Sequence, residues 1–560
     1  MSRLNPRDSS KDLQIANLEC RLESVEAGMW RNSQVEPISV DNELVNEDIA
    51  EQSLAVPTGA VLPATPRPLK AEPMAETVVP QPEERFPLPH KGLISHYKVY
   101  YFDILNSGMP IFDHQPYMYG DLAPGRDKDD EIYWAATNAV VALAMRHKPG
   151  KSTATEKLES TCIKNIESVL GTIMSREPEL LTVQVILCLA WYYMATEDFR
   201  PASPLIGAAV KMAYSLKLHL YTKNKFQRFG TDQWERVFWI TYILDRDLSL
   251  LTHEPYLIHD DHIGIDIKDM STSRDLGNVG HSHNEIEVLR RRAELATIKG
   301  KLYELVYSVK ASNFTPGKKQ AAEERVFRML ANWKKYIDEP SHPDSVWNST
   351  RMGQARHKHE SILHLDYYHC LFSVVKASIH NDEWRRKLTL FSETYNRGDD
   401  TRFITMTSPL LPCNWAELIE AARFCHSEVL TFIPEGDDAL RCISMPTFEG
   451  CLTVLSAHII SLPERDLTEP TLDSPCVNEK QRCEYDEVDH DESRISDCER
   501  IVGGRIRRTD NPSVLSDLKL CKELLRTADK TLSRFWEKAP KSFWDAREDG
   551  LNEGAETPSP

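Results

Sequence analysis

One segment, residues 180–194, restricts the possible folds of this chain more than any other. Its sequence, LLTVQVILCLAWYYM, is apolar nearly all round and carries Gln184 near its centre. A helix with that pattern must be covered on every side, so it belongs inside a larger bundle. The segment is too short, and Gln184 too polar, for a membrane span. No other run indicates a span, so we expect no association with a membrane.

A second helix, over residues 234–251, has one broad apolar face. Its bulky residues follow one another at steps of three and four, as on one face of an amphipathic helix. These residues are Trp234, Val237, Phe238, Thr241, Leu244, Leu248 and Leu251. The spacing predicts that this helix lies against a packed core.

Several residues in and around these helices carry a family resemblance. The motif residues are Gln184, Phe238, Trp239, Asp245, Arg246 and Pro255. Their order resembles the regulatory domain of fungal-specific transcription factors, the middle homology region that usually follows a zinc binuclear cluster. His253-Glu254-Pro255 stands where that family usually has Gly-Arg-Pro. The resemblance covers most of residues 91–535, is strongest in residues 91–270, and implies regulation of transcription in a fungal nucleus.

The chain past residue 91 is a succession of helical patterns without a comparable run of strict alternation. We therefore predict an all-α fold, a large multi-helix regulatory domain over residues 91–540. Proline-rich residues 32–90 predict a disordered linker, and residues 541–560 predict a disordered tail. Within the domain, the many acids of residues 464–512 favour a mobile acidic loop.

The N-terminal residues 1–31 carry a short apolar seam. Its members step by three and four, as in about two heptads of a coiled coil. They are Ile15, Leu18, Leu22, Val25 and Met29. Two interpretations remain open: a frayed surface helix, because isolated short helices are marginal in water, or the short dimerising coil that the resemblance implies. The second would make the protein a homodimer.

The charge and the cysteines argue against direct DNA binding by these residues. The net charge is −18, whereas contact with phosphates needs clustered Lys and Arg. A zinc binuclear cluster needs six thiolates with Cys-x-x-Cys pairs, and the chain has no such pair. We expect no cofactor in this chain, and zinc only if an upstream six-cysteine module exists. Either that module was lost in evolution, or it is missing from the gene model.

Signatures of catalysis are also missing from the sequence. His359 and His364 flank Glu360 with one residue more than the metalloprotease motif HExxH, so they diverge on a helix. There is no nucleophile elbow, Walker loop or dinucleotide-binding turn. We therefore predict that the protein is not an enzyme. We interpret Asp245 and Arg246 as partners of neighbouring helices, rather than as a ligand site.

The sequence thus predicts a nuclear regulator whose helical body acts on the transcription machinery or on another regulator. DNA would be reached only through a missing module or a partner. The alternatives are a transcriptional co-regulator, and a helical interaction scaffold outside the nucleus. Two basic runs, Arg290-Arg291-Arg292 and Arg505-Ile506-Arg507-Arg508, are candidate import signals; the first can equally be a solvated helix face.

Overall fold

The described part of the chain is built from helices alone. The computed structural model describes residues 86–87, 90–113, 130–196, 198–220, 231–267, 283–335, 351–379, 382–406, 410–411, 414–429, 433, 436–465, 479–506 and 512–538. These residues contain sixteen α-helices and no strand, which confirms the predicted all-α class. The chain divides into two units, residues 1–81 and 82–560, and every described residue belongs to the second.

Nine α-helices lie in the described residues before residue 336. They are α1 (Lys91–Tyr100), α2 (Glu131–His147), α3 (Thr153–Ser175), α4 (Leu180–Met194), α5 (Ala202–Ser215), α6 (Thr231–Thr252), α7 (His283–Leu302), α8 (Val309–Ser312) and α9 (Pro316–Lys334). Short π-helical turns continue two of them, at Tyr101–Leu105 after α1 and at Tyr303–Tyr307 after α7.

Seven more α-helices lie in the described residues after residue 350. They are α10 (Arg351–Ile379), α11 (Asp382–Arg397), α12 (Arg402–Thr405), α13 (Trp415–Phe424), α14 (Asp438–Ser461), α15 (Glu479–Ile506) and α16 (Pro512–Lys538).

Local sequence explains where several helices begin. The Asp130 carboxylate accepts a hydrogen bond from the Ile132 N–H at the start of α2, at 3.1 Å. Asp437 does the same for the Leu440 N–H at the start of α14, at 2.9 Å. Such caps satisfy N–H groups that the helix itself leaves without partners. Pro316 occupies the first turn of α9, where its missing N–H costs nothing.

The two helices that the sequence marked as core are buried. From Leu181 to Trp191, every residue of α4 is buried, which is the environment that its all-round apolar pattern requires. In α6, Val237, Phe238 and Leu244 are at most 1% exposed. The helix α6 packs on α4, α5 and α7. The prediction that these segments form the framework of a helical core is therefore confirmed.

The helix α14 is the centre of the C-terminal half, where it packs against α10, α13, α15 and α16. The helix begins at Asp438 and continues through Pro446 to Ser461. A proline inside a helix removes one backbone hydrogen bond; burial of the flanking residues offsets that cost. At Gly450, an added Cβ would lie 2.4 Å from the Cβ of Phe372, so glycine permits the close approach of α10.

The helix α14 also has the length and composition of a membrane span, contrary to our expectation that no run would qualify. However, 83% of its most apolar window is buried inside the protein. A core helix of a bundle meets the same criteria, because it too must be apolar on every side. The burial of α14 is that of a core helix.

The prediction of a mobile acidic loop over residues 464–512 is wrong for residues 479–506, which form α15. Its buried side chains recur at steps of three and four, as Tyr485, Val488, Asp491, Ile495, Cys498 and Val502. The high acid content concealed this stripe. One acid, Asp491, is itself buried and accepts hydrogen bonds from Arg423 of α13, at 2.6 and 3.0 Å, and from Arg494, at 2.7 Å. These charge-assisted bonds fasten α15 to the bundle.

Three predicted segments lie outside the described residues and stay predictions. They are the seam from Ile15 to Met29 in residues 1–31, most of the linker in residues 32–90, and the tail in residues 541–560. Residues 466–478 and 507–511 of the acidic segment also lie outside the described ranges.

Candidate functional site

The best-defined polar site lies where α6 ends and the chain turns back along it. Asp245, about two turns before the helix ends at Thr252, is 3% exposed. Its carboxylate accepts hydrogen bonds from the backbone N–H of Leu257, at 2.9 and 3.0 Å, and of Ile258, at 2.9 Å. Burial raises the pKa of Asp245, while these N–H donors and Arg246 oppose the rise. Asp245 therefore fixes the loop that follows its own helix.

Arg246 is the largest fully buried side chain of the described residues. Its Nη2 donates to Asp260 Oδ1 at 2.8 Å, and its guanidinium carbon lies 3.4 Å from the ring centroid of Tyr256 and 4.5 Å from that of Tyr242. On its other side it touches Gly300 of α7, where an added Cβ would lie 2.7 Å from Nε. Arg246 thus joins α6, the loop and α7 through one side chain.

The charge of Arg246 is maintained despite its burial. Burial acts to lower the pKa of the guanidinium, but Tyr242, Asp260 and Asp245 raise it by more. The interpretation of Asp245 and Arg246 as structural partners therefore agrees with the geometry. Their partners are chiefly a loop and its aromatic side chains, however, rather than only the neighbouring helices.

The turn at residues 253–255 takes the place of the family's usual Gly-Arg-Pro. His253 has φ of 56°, the left-handed region that glycine occupies without strain. Its ring stacks on Tyr307 at a centroid distance of 4.3 Å. Ser249 Oγ donates to the Glu254 carbonyl at 2.6 Å, and Pro255 is exposed. The turn thus keeps a backbone conformation that favours glycine, although the residue at that position is histidine.

The remaining motif residues lie in the core, away from this turn. Gln184 is 1% exposed and its Nε2 donates to the Ile111 carbonyl, so the one amide of α4 anchors the segment after α1. Phe238 and Trp239 pack edge to face at a centroid distance of 5.5 Å. The structure therefore joins Asp245 and Arg246 in one site, places Pro255 in the exposed turn that follows α6, and buries the other three in the core.

Replacement of Asp245 by alanine is expected to loosen the loop and to lower the free energy of unfolding by about 2 kcal/mol. The reason is that the buried N–H of Ile258 and the partly buried N–H of Leu257 lose a charged acceptor. Urea unfolding measures the loss, and limited proteolysis should cut the variant faster between residues 253 and 260. Asp261→Ala, at an exposed neighbour, is the matched control. Equal cleavage rates for the two variants would contradict the assignment.

A second polar cluster was not found from the sequence. Lys299 of α7 is 3% exposed, and its Nζ lies 2.6 Å from Asp247 of α6 and 3.3 Å from Asp366 of α10. Burial acts to lower the pKa of Lys299, but the two carboxylates raise it above its usual value. Arg292, which lies two turns before Lys299 on α7, is the fourth member, with its Nη2 3.9 Å from both carboxylates. We call these four residues the charged quartet.

A small cavity lies beside the charged quartet, with a volume of about 60 Å³. All four quartet residues line it. Its remaining wall is mostly apolar and comes from the ends of α4 and α6, from α10 and from α14, for example Trp191, Leu251 and Ile443. The cavity therefore lies at the seam between the helices before residue 336 and those after residue 350.

One signal in the sequence could have found the quartet. Arg292 and Lys299 are seven residues apart, so they share one face of α7. Asp247 directly follows Arg246 in the sequence, but its partner is Lys299 of α7 and not the loop that Asp245 and Arg246 contact. Only the tertiary structure shows that Asp366, 67 residues after Lys299, completes the group.

The histidines do not form a metal site within the described ranges. There, no three His, Cys, Asp or Glu side chains are grouped closely enough to hold a metal ion. His359 is buried and its Nε2 donates to the Ile104 carbonyl at 2.7 Å. Its role in the described structure is to join α10 to the turn after α1.

Comparison with known proteins identifies part of the chain. Residues 100–335 match the family described as the fungal specific transcription factor domain. That range contains α2 to α9, together with Gln184, the α6 motif and three members of the charged quartet.

Several curated proteins are similar to the chain. It is 26% identical over 389 residues to an ABC-transporter-regulating transcription factor of Aspergillus fumigatus, a match that covers 67% of this chain and 42% of that protein. It is also 26% identical over 375 residues to the Aspergillus oryzae protein of the same name, a match that covers 65% of this chain and 40% of that protein. The Fusaridione A cluster transcription factor fsdR of Fusarium heterosporum is 25% identical over 254 residues, a match that covers 44% of this chain and 47% of that protein. The chain thus spans less than half the length of each relative.

Proposed function

Since residues 100–335 are a fungal specific transcription factor domain, we propose that this protein regulates transcription in a fungal nucleus and is not an enzyme. The family match carries the proposal, and the names of the relatives support it because each is a transcription factor. In the proposed mechanism the helical body carries a signal to the transcription machinery or to another regulator. Contact with DNA belongs to a zinc cluster module or to a partner, because these 560 residues contain no Cys-x-x-Cys pair.

The arrangement of the helices supports transmission of a signal through the domain rather than catalysis. Its buried charges, such as Arg246 and Asp491, join helices to each other and to loops. Paired in this way, they orient the elements of one framework. A framework of this kind can transmit a shift of one helix to another, because packed cores are not continuously deformable.

A tethering assay tests the proposal. The chain is fused to the DNA-binding domain of a bacterial repressor and expressed in yeast with a reporter gene behind the matching operator. We expect the fusion to raise or lower reporter expression several-fold relative to the DNA-binding domain alone. Arg246→Met in the fusion should abolish the change, whereas Arg200→Ala, at an exposed ion pair, should preserve it. Unchanged expression from a nuclear, folded fusion would refute the proposal.

A gel-shift experiment tests the separation from DNA. We expect the 560-residue chain to show no sequence-selective binding, because its net charge of −18 opposes approach to phosphates. A fungal DNA library carrying many promoters serves as the probe, and a zinc cluster regulator serves as the positive control. Selective binding that survives an excess of unrelated DNA would overturn this part of the proposal.

A further inference from the structure

We infer that the cavity beside the charged quartet is a binding site for a small, uncharged molecule that carries an acceptor oxygen next to a compact apolar group. That a molecule bound here acts as an effector of regulation rests on the function proposed above. That the cavity binds such a molecule rests only on the structure of the cavity.

Arg292 supplies the first argument. It is 6% exposed and lines the cavity. Its Nε and Nη1 are buried without a hydrogen-bond partner among the described residues. Its Nη2 lies 3.9 Å from both Asp247 and Asp366, beyond hydrogen-bond distance. Buried donors without acceptors are costly, so the guanidinium favours any acceptor oxygen that enters the cavity.

The charge balance decides the class of ligand. Two carboxylates, Asp247 and Asp366, face two cations, Lys299 and Arg292, so the quartet is neutral as a whole. His369 of α10 also lines the cavity; desolvation lowers the pKa of its ring well below the usual value, so the ring is neutral at pH 7. A charged ligand would place an uncompensated charge in a desolvated site. An amide or ketone oxygen satisfies Arg292 without that cost.

The apolar residues of the cavity wall indicate the chemistry of the rest of the ligand. Trp191, Leu244, Leu251, Ile362 and Ile443 line the cavity together with the quartet. A volume of about 60 Å³ accommodates about four to six non-hydrogen atoms, since a water-sized atom needs roughly 10–15 Å³. The ligand is therefore a small branched or cyclic group attached to a carbonyl.

The position of the cavity gives such a ligand a role. Arg292 and Lys299 belong to the fungal specific transcription factor domain, whereas Asp366 and Ile443 lie beyond its C-terminal limit at residue 335. A molecule in the cavity contacts both groups of helices. Its binding therefore favours the arrangement in which they are closely packed.

The test uses isobutyramide, which has six non-hydrogen atoms and one carbonyl. It is titrated into the purified full chain with methyl-labelled methionines, and the NMR signal of the Met194 methyl, in the cavity wall, is followed. We expect a saturable shift. Isobutyrate, which adds a negative charge, and isobutylamine, which lacks an acceptor oxygen and is cationic at neutral pH, should each bind at least about tenfold more weakly.

Two variants locate the site. Arg292→Met should weaken isobutyramide binding by about tenfold or more, while Arg290→Met, the same change at a partly exposed position of α7, should leave it unchanged. Leu251→Phe fills the cavity and should abolish binding, and it serves as the decisive variant if circular dichroism shows that Arg292→Met is unfolded.

Four outcomes would overturn the inference: no saturable shift in the unaltered chain, equal or tighter binding of isobutyrate, equal or tighter binding of isobutylamine, or unchanged binding in a folded Leu251→Phe variant. The measurement uses purified protein without DNA or a reporter. Failure here therefore leaves the tethering result untouched, and failure of the tethering assay leaves this site intact.

Discussion

Replacement of Arg246 by methionine is expected to lower the free energy of unfolding by about 2–4 kcal/mol, the sum expected for one charge-assisted hydrogen bond and the ring contacts of a buried cation. The guanidinium is fully buried and donates to Asp260, whose own carboxylate is 34% exposed and stays within 3.7 Å of Lys301. The variant also loses the stacking on Tyr256 and Tyr242. Urea unfolding at neutral pH, followed by circular dichroism, measures the difference.

Arg200→Ala is the matched control for this change. Arg200 pairs with Asp198 at 2.7 Å, but both side chains are at least half exposed. Exposed pairs contribute only about 0–1 kcal/mol because water screens them. If Arg246→Met and Arg200→Ala lowered stability equally, the assignment of Arg246 as the central connection of α6, its loop and α7 would be wrong.

Acidification is expected to destabilise the protein through His147, His359 and His369, whose rings the fold keeps neutral. Burial lowers the pKa of His359 to about 3, and burial together with neighbouring cations lowers the pKa of His147 and of His369 well below the usual value. His147 is the clearest case, because neither ring nitrogen has a hydrogen-bond partner among the described residues. Each ring stays neutral in the fold but becomes charged in the unfolded chain.

The direction of the change in stability with pH follows from the number of protons that the folded and unfolded chains bind. Below about pH 6.5 the unfolded chain binds protons at these histidines while the folded chain does not, so stability falls as the pH drops toward the lowered folded pKa. Each histidine contributes a slope of up to about 1.4 kcal/mol per pH unit, and the three together up to about 4. Burial raises the pKa of Asp245, Asp247 and Glu294, and these acids act in the opposite direction.

A variant isolates the histidine contribution from that of the acids. In His147→Phe, the free energy of unfolding should fall less steeply between pH 6.5 and 5, by up to about 1.4 kcal/mol per pH unit. The control His96→Phe changes an exposed ring and should leave the slope as it is. Urea unfolding at several pH values provides the data. An unchanged slope in His147→Phe would show that this ring is accessible to protons in the folded state.

The helices were largely predictable because their signals are local. The periodic apolar residues of α6 and the unbroken apolar run of α4 are properties of neighbouring residues, and both helices are buried as expected. Where average composition was used in place of periodicity, the prediction was wrong. The acids of residues 479–506 suggested a loop, although the buried stripe from Tyr485 to Val502 has helical spacing.

The site was predictable only in part. Asp245 and Arg246 were identified through a resemblance to a family, and their structural role was expected because charged groups beside a core need partners. The identity of those partners was not expected. Asp260 lies 14 residues from Arg246, and Gly300 lies a further 40 residues along the chain.

The sequence alone determined the all-α class, the two core helices and the resemblance to a fungal regulatory domain, because each depends on the order of residues within short segments. The tertiary structure decided which charges meet. Asp247, Lys299 and Asp366 come from three helices, and their ion pairs form only where those helices pack. Pairing between distant residues is set by packing of the whole chain rather than by local spacing, and so is the cavity that these residues line.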